Sequence, residues 1–107
     1  MATTVRIGNA HGFWGDRLEA AWEMLAAEPE LDFLTFDFLA EVSMSILAAQ
    51  QVREPGVGYA RDFVEIVRSL VPYWRSGGRC RLVSNAGGLT PAACAHACRS
   101  VLEEAGL

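Results

Sequence analysis

The stretch Gly8-Asn9-Ala10-His11-Gly12-Phe13-Trp14-Gly15-Asp16 decides the fold, because it stands between a short β-branched run at residues 4–7 and an amphipathic helical pattern. Strand, glycine turn and helix in that order make the opening unit of an α/β sheet. Three glycines let the turn take positive φ and approach a ligand, and the N–H groups of the following helix end suit a carboxylate or phosphate. Gly8, Asn9 and Gly12 are therefore candidate ligand-binding residues. His11, on the turn, is a candidate general acid/base or a residue that fixes the turn by hydrogen bonding. The glycine spacing fits neither the dinucleotide fingerprint nor the P-loop.

Outward from this stretch, Asp16 and Glu19 form a D-x-x-E helix start, with Asp16 as N-cap and Glu19 reaching back. Leu18, Ala21, Trp22, Leu25 and Ala26 then recur at helical spacing until Pro29. Residues 31–36 are short and aromatic-rich and predict a second strand. Asp37, at its carboxyl end, is either the N-cap of a helix running from Leu39 or a carboxylate that orients His11. Glu41 could join it, but reads better as a solvated or capping residue. Residues 50–58 form a polar loop, and Phe63, Ile66, Val67, Leu70 and Trp74 mark a helix that Pro72 should break near Val71. Ser76-Gly77-Gly78 turns into a third strand at residues 80–84. Asn85-Ala86-Gly87-Gly88 follows as a second glycine loop, so Asn85, Gly87 and Gly88 complete the candidate ligand-binding set. Asn9 and Asn85 equally suit Asx turns. Thr90-Pro91 opens the last helix with a hydroxyl cap and proline at N1, and Gly106 suits its end.

The element order β-α-β-α-α-β-α predicts a three-layer, Rossmann-like α/β fold: a short parallel sheet of order 2-1-3 with helices on both faces. In that order the crevice at the switch point would bring the His11 and Asn85 loops together, with Asp37 at the same sheet edge. Three strands leave two open edges, so the chain is expected to be part of a larger protein.

The chain has 107 residues, 51% hydrophobic, which suits a single domain over 1–107. Thirteen acidic residues stand against nine basic ones, all scattered arginines, for a net charge of -4. That balance disfavours nucleic acid and anionic membranes as partners. The start lacks a basic segment followed by an apolar one, and no apolar run is long enough to span a bilayer, so a cytoplasmic location is expected. Cys80, Cys94 and Cys98 are read as buried or half-buried thiols. Cys94, His96 and Cys98 do not make a zinc site, because two helical steps turn His96 away from both cysteines. No metal is expected, and no cofactor is named by any motif.

Four stretches carry a family resemblance: residues 7–16, Asp37-Phe38-Leu39-Ala40-Glu41, Gly58-Tyr59-Ala60-Arg61-Asp62-Phe63, and Val83-Ser84-Asn85-Ala86-Gly87-Gly88-Leu89-Thr90-Pro91. Together they resemble the amino-terminal region of the acyclic terpene utilisation, AtuA-like, family. Two positions depart from its usual pattern. Gly12 stands where a serine or another small residue is more common, and Thr90 where asparagine is.

The resemblance implies a role in bacterial catabolism of acyclic terpenoids of the citronellol and geraniol type, a route that works on CoA thioesters. It also implies that the chain is the amino-terminal part of a longer protein. Two functions follow. In one, the domain binds or converts a branched acyl-CoA or another small anionic ligand, with the glycine loops on its anionic or carbonyl end, His11 transferring a proton and Asp37 orienting it. In the other, it is a non-catalytic ligand-binding or scaffold domain that assembles with the rest of the chain or a partner subunit.

Overall fold

A computed structural model describes residues 3–107. The order is β1 (Ile7–His11), α1 (Ala20–Ala27), β2 (Phe33–Phe36), α2 (Glu41–Arg53), α3 (Asp62–Ser69), α4 (Val71–Arg75), β3 (Arg81–Ser84) and α5 (Pro91–Glu104). All strand pairs are parallel, as the alternation of strands and helices requires.

The expected strand order 2-1-3 is corrected to β1-β2-β3. This single change removes the switch point and the third layer. When successive right-handed crossovers step in one direction, every connecting helix lands on the same face of the sheet. Ala10, Leu34, Phe36 and Leu82 accordingly pack with Ala21 and Leu25 of α1 and Ile66 of α3 in one core. A second, smaller cluster joins Val67, Val71 and Val101. The opposite sheet face is covered by no described element: Ile7 is 65% exposed and Val83 is 53% exposed.

β1 begins and ends later than residues 4–7, so Gly8, Asn9, Ala10 and His11 lie in the strand rather than on the turn. Burial against α1 selected this segment over the more β-prone one. A side chain at Gly8 would meet Met24 Sδ at 2.8 Å and Leu31 Cδ1 at 2.9 Å, so glycine there admits the helix and loop against the strand. Register decides the rest. Ile7, Gly8 and Asn9 pair with Phe33, Leu34 and Thr35, but it is His11 that pairs with Phe36, leaving Ala10 as a bulge. One extra residue flips the alternation. His11 thus turns from the bare face, where Ile7 and Asn9 point, to the helix-covered one.

Two helix starts are also corrected. α1 begins at Ala20 and takes no side-chain cap, because the Asp16 carboxylate is spent on the turn, accepting from Gly12 N–H at 3.1 Å and Arg17 N–H at 2.8 Å. α2 begins at Glu41, with Ala40 N–H donating to Ser43 Oγ, so Asp37 is not its N-cap. Phe38, buried in the core, holds residues 37–39 out of the helix. The predicted break at Pro72 is present as the step from α3 to α4, and Gly106 takes φ +81° after the last helix.

Candidate functional site

The carboxyl ends of all three strands meet at one edge of the sheet, where backbone continuity through β1, β2 and β3 delivers the polar residues of the glycine loops. Four hydrogen bonds tie the loops there. Asp37 N–H donates to His11 O at 3.0 Å, and Phe38 N–H to Asn85 Oδ1 at 2.8 Å. Ala60 N–H donates to Ala86 O at 2.8 Å, and Gly58 N–H to Thr90 Oγ1 at 2.9 Å. The four bonds link the four segments in series, although His11 and Thr90 are 79 residues apart along the chain.

Asn85 uses its side chain fully. Besides accepting from Phe38, its Nδ2 donates to Asp37 Oδ1 at 3.0 Å and to Leu39 O at 3.3 Å. It clamps the exit of β2 to the exit of β3. The His11 and Asn85 segments are therefore not direct neighbours as expected. The Asp37-Phe38-Leu39 segment stands between them, because β2 is the central strand.

His11 is 1% exposed. Its ring stacks on Phe38 with centroids 5.0 Å apart and tilts against Phe36 at 5.4 Å. Neither ring nitrogen has a hydrogen-bond partner among the described residues. The two expected catalytic residues are thus joined through the backbone only: the Asp37 carboxylate turns to Asn85, and the imidazole lies in an aromatic cluster that Phe63 completes.

The candidate ligand-binding residues divide. Asn9 is exposed on the bare sheet face, away from the loops, and Gly8 faces α1 and Leu31. Gly12 lies at the site edge, its N–H held by Asp16. Those two backbone N–H bonds, from Gly12 and then Arg17, hold the Asp16 carboxyl below the usual carboxylate range. In the second loop a side chain at Gly87 would collide with Pro91 Cα at 2.8 Å. At Gly88, with φ +52°, it would meet Leu47 Cδ1 at 2.6 Å and Gly58 O at 2.7 Å. Close packing requires glycine at both positions, whatever they bind.

Of the expected site residues, only Gly87 borders a sizeable cavity. A groove of about 620 Å³ runs from this loop along α5, floored by Leu82 and Phe63 and walled by Cys94, Cys98 and Leu102. Its volume lies in the range of small-molecule sites. Sequence reasoning did not single out Phe38, Gly58 or this groove as parts of the site. The Gly58-Tyr59-Ala60 stretch carried a signal, being one of the four family motifs, but nothing local told that it pairs with the second glycine loop.

Thr90 does not cap α5 through its side chain, since its hydroxyl is taken by Gly58 N–H. Among the described residues no group of three or more His, Cys, Asp or Glu side chains is placed to hold a metal ion, and no helix is long and apolar enough to cross a membrane. Comparison with curated proteins and with solved structures finds no match. The family described as "Acyclic terpene utilisation family protein AtuA" matches residues 5–107. That span takes in all three strands, all five helices and each of the four hydrogen-bonded segments at the strand ends, and the chain belongs to the acyclic terpene utilisation family.

Proposed function

We propose that this domain serves acyclic terpenoid catabolism by holding a branched acyl ligand, free or as a CoA thioester, in the groove beside α5. The groove carries the reading: it is mostly apolar, of a size for a branched acyl chain, and it begins at Gly87 of the second glycine loop. The loop end suits the anionic or carbonyl part of such a ligand, and Leu82, Phe63 and Leu102 suit the hydrocarbon. In the catalytic form of this reading, His11 transfers a proton and Asp37 orients it. That form requires the Phe38 segment to open, because the imidazole is sealed between Phe36 and Phe38. Gly12, Asn85 and Gly88 then act by shaping the edge rather than by touching the acyl chain, and Gly8 and Asn9, within β1, take no part in binding.

Thermal shift on the described domain tests the binding step, with branched acyl-CoAs, free CoA and terpenoid acids as ligands. A ligand at 100 times its Kd adds about 2.7 kcal/mol, and each kcal/mol is worth about 4–8 °C in a domain of this size. Ala95, exposed on the groove wall, is the position to fill: Ala95→Trp should abolish the shift without unfolding the chain. A shift that Ala95→Trp leaves intact would refute the groove as the site.

A second reading has its own support. The bare sheet face, with Ile7 and Val83 exposed, is the kind of surface that other protein covers, as a scaffold domain would need. No shift with any ligand, from a chain that melts cooperatively, would favour it.

A further inference from the structure

The groove wall holds a pair of thiols that neither reading uses. Cys94 and Cys98 are one turn apart on α5 and both line the groove, Cys94 buried and Cys98 half-buried. Residues at this spacing have Cβ atoms about 5–6 Å apart. A disulfide needs about 3.5–4.5 Å between Cβ atoms, so direct oxidation would have to unwind the helix. An ion seated between the two sulfurs would not.

The chemistry of the ion follows from what surrounds the pair. A tetrahedral zinc site needs four ligands, and among the described residues no third His, Cys, Asp or Glu is placed to join the two thiols. Two thiolates alone satisfy a soft d10 ion that accepts linear coordination, and thiolate sulfur selects Cu(I) over harder cations. We propose that Cys94 and Cys98 form a two-coordinate site for a soft monovalent ion of the Cu(I) class.

Of two neighbouring thiols, one ionises before the other. The second proton is held because removing it would place two like charges side by side. A cation bound between the sulfurs turns that repulsion into attraction, so loading releases both protons. Cys80, buried near Trp74 and remote from α5 in the chain, serves as the internal control.

The test uses the reduced chain titrated anaerobically with Cu(I) against a chromophoric Cu(I) chelator. One ion should load per chain. Cys94→Ala and Cys98→Ser should each weaken loading by at least about 100-fold, more than the loss of an outer-shell partner costs, and Cys80→Ser should leave it unchanged. In the unsubstituted chain, loading should protect Cys94 and Cys98 from maleimide labelling read by peptide mass, while buried Cys80, reached only on unfolding, reports that the fold is intact. That readout does not depend on the variants folding. Absence of one-to-one loading, or loading without protection of both thiols, overturns the site. Because no acyl ligand enters the titration, its failure is separate from failure of the groove reading.

Discussion

His11 and Asn85 occupy matching places, at or just beyond the carboxyl ends of the two edge strands, yet their side chains meet opposite fates. Asn85 makes three hydrogen bonds, to Phe38 N–H, Asp37 and Leu39 O, and joins two strand exits. His11 makes none among the described residues, with both ring nitrogens buried against Phe36 and Phe38. A polar residue beside a glycine loop therefore says little about its role until the register is known. Asn85 follows β3 without a bulge and reaches across the edge, whereas the Ala10 bulge turns His11 inward. Asn85 stabilises the edge by bonding. His11 is retained at a cost, since a buried polar group without a partner forfeits its hydration.

Breaking the Asn85 side of this comparison should have the largest effect. Asn85→Ala leaves Phe38 N–H without its acceptor and frees Asp37. The expected loss is about 2 kcal/mol, or a Tm lower by about 10 °C. Calorimetry on the folded variant measures it, and a change within 1–2 °C (about 0.3 kcal/mol) would show that the clamp contributes nothing.

His11→Phe should move stability the other way. The ring keeps its apolar neighbours while two unpaired nitrogens disappear, and an apolar group of similar shape in place of an unpaired polar one is neutral to stabilising. The expectation is a gain of about 1 kcal/mol, seen as a higher urea midpoint at unchanged slope. A clear loss would mean that the imidazole has a partner the fold depends on.

The smallest effect belongs to the turn that follows β1. Asp16 has its pKa lowered by Gly12 and Arg17 N–H groups, so its ionised form stabilises the folded state. For a depressed carboxyl this contribution is present above the unfolded pKa and disappears as pH falls through the folded one, that is, below about pH 4. Asp16→Asn should lower the urea midpoint at pH 6, and the gap to the parent chain should close towards pH 2. A gap of equal size at both ends would assign the effect to geometry rather than charge.

Much of the architecture was legible locally. The helix that Pro72 interrupts, the strand between Gly78 and Asn85, and the terminus at Gly106 all rest on constraints a few residues long: a missing N–H, a β-branched run, a positive φ. The helix starts at Asp16 and Asp37 misled for the same reason. Each carboxylate found another partner, Asp16 in the Gly12 turn and Asp37 in Asn85, and capping preference is only one bid for an acceptor. The Cys94 and Cys98 pairing on one helical face followed from their spacing, but the groove they line did not.

By itself the sequence determined the kind and order of the elements and the family, because periodicity, turn chemistry and motif are written in neighbouring residues. Only the tertiary structure decided that β2 is central, that α1 and α3 pack on the same face, and that His11 is buried. Strand order depends on which apolar faces can be covered together, and a one-residue bulge reverses a side chain without leaving any mark in the local pattern.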